Sequence, residues 1–348
     1  MRLRPDLYDT FDELSFSAWD YTSGPGNLHC VGPELGETAV DFGLAGAGAV
    51  GCALMHTLWA CPTITGNAVI ADSDPHGIDT TNLNRCVIFG RQHIGLPKAS
   101  TASRILRDAG IAWDPIDAPY ARANLSRVPE VLVSAVDTNR SRDQLQQGFW
   151  PARLLAASTK NLRAEIFRCG PPGQGPCLRC FNPPAIDLPD DVRREQLRGM
   201  DPKDLAIFAA SISQPGELVR RWANEGGCGE VGDAAIQQLR KLDQAPAMFS
   251  VGFVSVLAGV VLAAEVIKEH IGRDSPLDDD MQSAKFQFER PAASANGRPQ
   301  PTLRDPACPA CDPVGDGLQI WRSRAAAWRS VSSSPEPLRT GARDPTCE

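Results

Sequence analysis

The chain has 348 residues, 42 acidic and 35 basic, with a formal net charge of −7 and a pI near 5.4. A hydrophobic content of 42% supplies a core and excludes a wholly disordered chain, and the acidic balance leaves no whole-chain basic footprint for nucleic acid. Met1–Leu14 has no apolar signal-peptide core, so the chain is read as cytoplasmic, and its eleven cysteines point to metal or thiol chemistry before disulfides.

Residues 1–38 carry scattered aromatics (Tyr8, Phe11, Phe16, Trp19, Tyr21) and a Gly/Pro-rich stretch from Gly24 to Gly36, which reads as an arm or small lobe. Val40–Leu44 is a short strand followed by a glycine cluster, a helical segment over Cys52–Ala60, and a second strand at Ala68–Ala71. Lys98–Ala109 reads as a helix, and Val131–Val136 as a buried strand ending at Asp137. Leu154–Thr159 and Ala164–Phe167 read as later strands. Strands alternating with helices predict an α/β fold, Rossmann-like, with a doubly wound and mainly parallel sheet.

Residues 171–245 are Pro/Gly-rich to Pro189, then charged and helical in pattern, too long for an ordinary connection and suited to a crossover or substrate lobe. Met248–Ala264 runs seventeen residues without a charge. It is short of the roughly 20 apolar residues of a membrane span and continues into Glu265 and Lys268, so it predicts a buried core helix, with Pro246 in its first turn and Gly252, Gly259 and Ala263 allowing close packing on the sheet. From Asp312 the chain turns Ser/Arg/Pro-rich, the composition of a tail. The predicted organisation is an arm over 1–38, a main α/β domain over 39–311 with a crossover lobe at about 181–245, and a tail over 312–348.

Four motifs carry chemistry. Gly46-x-Gly48-x-x-Gly51 joins the first strand to a helix, where glycines let a phosphate approach the backbone and the helix N-terminus presents free N–H groups. Asp72 ends the next strand, 21 residues past Gly51, where a carboxylate can bind a ribose hydroxyl. This fingerprint alone leaves NAD, FAD, SAM and ATP open. Asp74, Asn82, Arg85 and Lys98 follow closely, and an Arg fork, a Lys point charge and a neutral Asn suit a triphosphate better than a dinucleotide. Asp137, at the carboxyl end of a buried strand, is the candidate for Mg²⁺, with a helix N-cap as its plain alternative. Cys177-x-x-Cys180 and Cys308-x-x-Cys311 together make a closed tetrahedral zinc site that clamps the crossover to the C-terminal end.

In this order the motifs resemble those of the ThiF/MoeB/HesA adenylyltransferases, bacterial relatives of the ubiquitin-activating enzymes, over about residues 40–311. The resemblance includes Asp72-x-Asp74, Asn82-Leu-Asn-Arg85, Gly95-x-Pro-Lys98, Asp137-Thr-Asn139 and the late helix from Ala245 to Lys268. It implies ATP- and Mg²⁺-dependent adenylation of the C-terminal carboxylate of a small ubiquitin-like β-grasp protein or peptide, by a homodimer that hands on to a conjugating enzyme or sulfur donor. By position, Asp72 would hold the ribose, Asn82, Arg85 and Lys98 the phosphates, and Asp137 the magnesium. Cys228, in a glycine-rich loop, matches a cysteine that accepts the acyl group in many relatives, ahead of Cys169 and Cys86. The sequence departs from the family in three places. Two extra residues separate the acids from Asn82, the arm lacks the Tyr/Arg-x-x-Arg-Gln run that lends an arginine to a neighbouring site, and Ala47 and Ala49 stand where relatives carry another glycine. Peptide-adenylating and tRNA-modifying enzymes share this fold. An NAD(P)-dependent oxidoreductase would use only the glycine turn and Asp72, and an inactive scaffold would retain only the zinc.

Overall fold

Eight strands hydrogen-bond into one sheet in the computed structural model of the chain. It describes residues 15–24, 32–183 except 109, 122, 123, 126, 161 and 172, residues 195, 197–211, 215–225, 251–288 except 273 and 274, 297–311 except 307, and 319, 320, 322 and 323. In chain order the strands are β1 Ser15–Phe16, β2 Ser23–Gly24, β3 Thr38–Ala45, β4 Ile64–Ala71, β5 Ile111–Ile116, β6 Val131–Ser134, β7 Arg153–Lys160, β8 Arg163–Cys169, β9 Ser283–Gln287 and β10 Pro299–Gln300. The helices are α1 Ala49–Trp59, α2 Lys98–Ile105, α3 Asn139–Phe149, α4 Leu178–Phe181, α5 Pro202–Ser211, α6 Gly216–Glu225 and α7 Gly252–Ile271.

The sheet runs β10-β9-β8-β7-β6-β3-β4-β5, parallel from β7 to β5 and antiparallel from β7 to β10. β3 is central, and Phe42 to Ala45 are all buried between the layers, as a strand covered on both faces requires. Its one charge, Asp41, is tolerated because β6 pairs only from Phe42 onward. There the Asp41 N–H donates to Nε2 of His270 at 2.9 Å, and the carboxylate pairs with Arg127. β5 contains Asp114 and Pro115, and it lies at the sheet edge, where a strand does not need every N–H.

Several elements differ in extent from the sequence expectation. β6 stops at Ser134 because its parallel register with β7 ends opposite Ala156; the Ala135 N–H still bonds the Ala45 carbonyl, and the chain then leaves the sheet. α2 ends at Ile105, leaving the chain room to turn before β5 starts at Ile111. α7 begins at Gly252, so Pro246 does not occupy its first turn and falls outside the described residues. The helix packs across β3, β7 and β8 and also lies flat on α1. Gly259 makes that approach possible, since a Cβ there would stand 2.5 Å from the Ala53 Cβ and 2.6 Å from the Val50 carbonyl. The close contact is therefore helix on helix. Among the described residues, no helix is long and apolar enough to cross a membrane.

α7 also buries Glu265 and Lys268 as an ion pair, Nζ to Oε1 2.6 Å. Tyr21 from the β1–β2 hairpin donates to the same Oε1 at 2.7 Å, Ser275 donates to Oε2, and Lys268 lies 4.7 Å from the centre of the Tyr21 ring. A buried pair needs such additional bonds to offset its desolvation. This network anchors the hairpin to the core.

The chain divides into two compact units, residues 1–183 with 251–348 and residues 184–250. In the second, α5 and α6 pack through Leu197, Leu205, Ala209, Val219 and Ala223. Arg198 Nε caps the last turn of α6 by donating to the Ala223 carbonyl at 2.7 Å.

Candidate functional site

The strand order places a topological switch between β3 and β6. The chain winds outward through β4 and β5, then returns to pair β6 on the other side of β3. In open α/β sheets the crevice at the carboxyl ends of such strands is where ligands bind. Gly46 enters the turn there with φ +100°, and a Cβ on it would stand 2.7 Å from the Ala135 carbonyl beyond β6. A Cβ at Gly51 would meet the Gly46 carbonyl at 2.1 Å, so that glycine seats α1 against its own turn. Gly48 is different. Nothing lies within 4 Å of where its Cβ would be, and it heads α1 with no side-chain cap and no acidic residue in the first turn. An open, uncapped helix N-terminus is an anion site in waiting.

Asp72 closes the other wall. Its Oδ2 accepts the Ala47 N–H at 2.7 Å and its Oδ1 the Asp74 N–H at 3.0 Å, which ties the end of β4 to the glycine turn. Asp74 pairs instead with Lys98, which is only 9% exposed at the start of α2. Burial pushes the Asp74 carboxyl upward, but the Lys98 hydrogen bond and the His76 amide outweigh it and hold its pKa below the usual carboxylate range. Burial likewise pulls Lys98 down, yet its bond to Asp74 and the nearby charge of Asp72 carry it above the ordinary lysine value. Lys98 therefore stays a cation.

Asn82 and Arg85 sit on one loop. The Asn82 side-chain Oδ1 accepts the Asp79 N–H at 3.0 Å in a capping box over Thr80–Asn82, and Arg85 Nη1 donates to the Thr81 carbonyl at 2.8 Å. The start of α7 backs this loop, for a Cβ on Gly252 would stand 2.9 Å from the Asn84 carbonyl. Asp137 is exposed just past β6. It does not cap α3; Thr138 does, accepting the Ser141 N–H at 3.0 Å. Behind Asp137 lies Arg142, 6% exposed, with Nη1 donating to Asn139 Oδ1 at 2.7 Å and Nε buried without a hydrogen-bond partner among the described residues. Burial lowers its pKa, partly offset by the negative charges of Asp137 and Glu165. Cys228 falls outside the described residues.

The structure thus brings Gly46, Gly48, Gly51, Asp72, Asp74 and Lys98 together, with Asn82 and Arg85 on the loop between Asp74 and Lys98 and Asp137 across the switch. Sequence reasoning missed Arg142. Its burial follows from α3 packing on the sheet through Leu145 and Phe149, which no local spacing reveals.

The second cluster assembles Cys177, Cys180, Cys308 and Cys311, with all four sulfurs within 4.8 Å of one another. The sulfurs stand 3.8 Å apart in Cys177–Cys180, 3.7 Å in Cys177–Cys308 and 3.5 Å in Cys180–Cys311. A disulfide needs about 2.05 Å, whereas a tetrahedron with Zn–S bonds of about 2.3 Å has edges near 3.8 Å. The cluster fits zinc and not disulfides. Hydrogen bonding from Cys177, against the cost of burial, holds the Cys311 thiol near 5, with Cys180, Arg304 and Cys308 helping, while that same bond and burial push Cys177 up. Trp150 packs over the sulfurs, and the Leu178 N–H donates to Gln146 Oε1 at 2.6 Å, fastening the first Cys pair to α3.

A sequence model of the ThiF family matches residues 38–310. An uncharacterized Sinorhizobium fredii protein, y4jF, is 25% identical over 69% of this chain and 50% of its own length. The SAMP-activating enzyme E1 of Haloferax volcanii is 28% identical over 44% of this chain and 58% of its own. The chain thus spans about half the length of the curated relatives it matches. Among solved structures, E. coli MccB superposes with a TM-score of 0.51 at 17% identity, covering 78% of this chain and 65% of that one. MccB bound to ATP gives 0.50 at 18%, covering 78% and 66%. At such identity these likenesses speak for the fold.

Proposed function

This chain belongs to the ThiF family of adenylyltransferases, and we propose that it uses ATP to activate the C-terminal carboxylate of a small ubiquitin-like protein. The observation that carries the reading is Gly48: an open, uncapped and acid-free helix N-terminus at the switch point, with a buried lysine ion-paired beside it. The SAMP-activating relative supports a protein substrate, and the MccB structures, some solved with the MccA peptide, support a peptide as the second reading. Both present a free carboxylate.

In this mechanism the glycine turn and the first N–H groups of α1 cradle phosphate oxygens. Asp72, whose oxygens keep lone pairs beyond the two amides they accept, holds the ribose hydroxyls. Lys98 exchanges Asp74 for a phosphate oxygen, and Arg85 releases the Thr81 carbonyl to do the same. The substrate carboxylate oxygen then attacks the α-phosphorus, the bond to the β-phosphate oxygen breaks, and an acyl-adenylate and pyrophosphate result. The protein contributes position and charge neutralisation. Asp137, exposed beside Arg142, would hold Mg²⁺, which supplies further neutralisation of the leaving pyrophosphate. The four cysteines would hold a structural zinc. Cys228 is proposed as acyl acceptor before transfer to a conjugating enzyme or sulfur donor, in a cytoplasmic homodimer.

Incubated with ATP, Mg²⁺ and a ubiquitin-like protein with a free C-terminus, the enzyme should exchange labelled pyrophosphate into ATP. A C-terminally amidated substrate should support none. Exchange that persists equally with the amidated form would refute adenylation of the terminal carboxylate.

A further inference from the structure

The edge strand β5 ends on two residues that hold two separate parts of the crevice. The Ile116 carbonyl accepts the Asp72 N–H at 3.1 Å, which extends the β4–β5 ladder past Ala71 and fixes the backbone of Asp72. The next residue, Asp117, reaches to α2 instead. Its Oδ1 accepts the Ser100 N–H at 3.1 Å, and its Oδ2 accepts the Ser100 hydroxyl. Ser100 stands two residues past Lys98, in the first turn of the helix. A further tie, from Ser103 Oγ to the Trp113 carbonyl at 2.8 Å, joins the same helix to the same strand.

The start of α2 breaks two local rules. A helix start takes a side-chain oxygen from its N-cap residue for the N–H of its second or third residue, and Pro97 has none to offer. The first helical residue is a cation, Lys98, set against the positive end of the helix dipole, and the first turn holds no acidic residue. Left to itself, such a start frays. Asp117 supplies both missing parts from the sheet edge: an acceptor for the third N–H of α2 and a negative charge at its N-terminus. The turn that carries Lys98 is thereby pinned while the lysine itself is buried against Asp74. Local rules are broken in this way where function needs the offending residue.

We propose that Asp117 is a positioning residue for Lys98, fixing the lysine where a phosphate oxygen can take it from Asp74. That last step rests on the ATP reading above; the seating of Lys98 by Asp117 does not. Together Ile116 and Asp117 make the end of β5 the common support of Asp72 and Lys98, although neither touches the nucleotide in this account.

The test is a double-mutant cycle on the full-length protein, read by ATP–Mg²⁺ affinity and by acetylation of Lys98. Asp117 is exposed, so its replacement leaves the core intact. Asp117→Ala is expected to weaken ATP binding about fivefold, the effect of a lost helix cap. In a Lys98→Ala background the same change should leave the affinity as it was, because the lysine it positions is gone. Asp117→Asn keeps an acceptor for the Ser100 N–H and should retain most of the binding. Ser100→Ala removes one of the two bonds and should weaken binding about twofold, again only where Lys98 is present. Acetic anhydride followed by peptide mapping reads the lysine without any nucleotide: Lys98 should react about fivefold faster in Asp117→Ala and at the native rate in Asp117→Asn. Equal weakening of ATP binding with and without Lys98 would show a cap that is merely structural and overturn the proposal, as would an unchanged affinity in both Asp117→Ala and Ser100→Ala. Native protein that binds no ATP refutes the nucleotide reading instead. The acetylation rates then decide the seating by themselves, and equal rates in the native chain and Asp117→Ala overturn it.

Discussion

The proposed nucleotide crevice and the four-cysteine cluster differ in how their side chains are held. In the cluster the ligand atoms already stand at the corners of a zinc tetrahedron, held by Trp150 and by Gln146 from α3. In the crevice the backbone is in place, but the cations are engaged elsewhere, Lys98 on Asp74 and Arg85 on Thr81. The cluster is preorganised for a permanent ion. The crevice is held by bonds that a triphosphate can replace and later surrender. A resident metal favours the first arrangement and a substrate that must leave favours the second.

The largest effect should come from the cluster. Removing its metal by chelation, or breaking it with Cys308→Ser, is expected to cost about 4 kcal/mol, the linkage energy of an ion present at a thousandfold excess over its Kd. Chemical denaturation with metal analysis checks this. A Cys308→Ser protein of unchanged stability would mean that the cluster holds no structural ion. Next come Arg85→Ala and Asp137→Ala, each expected to lower pyrophosphate exchange by about 10²-fold with metal content and stability untouched. Loss of zinc in either variant would merge the two regions into one cooperative unit.

The smallest effect concerns the Asp74–Lys98 pair. The Asp74 pKa is depressed in the fold, so its contribution is present above the ordinary carboxylate value of about 3.9 and disappears as pH falls through the lower folded value. Solvent reaches the carboxylate, which limits the gain to below about 1 kcal/mol. Denaturation curves between neutral pH and acid should show this small loss, and Asp74→Asn should remove it. A variant that keeps the full acid dependence would show that Lys98 draws its support from Asp72 alone.

Both regions were largely legible in the sequence, because Gly-x-Gly-x-x-Gly and Cys-x-x-Cys are local spacings with a direct geometric meaning. The central strands were legible too, as parallel strands buried on both faces read as continuous apolar runs. β5 escaped notice because Asp114 and Pro115 interrupt it, and only its edge position makes them acceptable. Long-range partnerships were invisible. Nothing near Asp74 names Lys98 as its partner, and nothing in the Met248–Ala264 run shows that Gly259 faces α1. Such contacts arise when elements far apart in sequence pack together.

Direct titration of the reduced protein with ATP–Mg²⁺ and, in parallel, with NADH tests the triphosphate reading of the crevice. Micromolar ATP binding that weakens at least about tenfold in Lys98→Ala and in Arg85→Ala, with no NADH binding, is the predicted result. Micromolar NADH binding without ATP binding would contradict it.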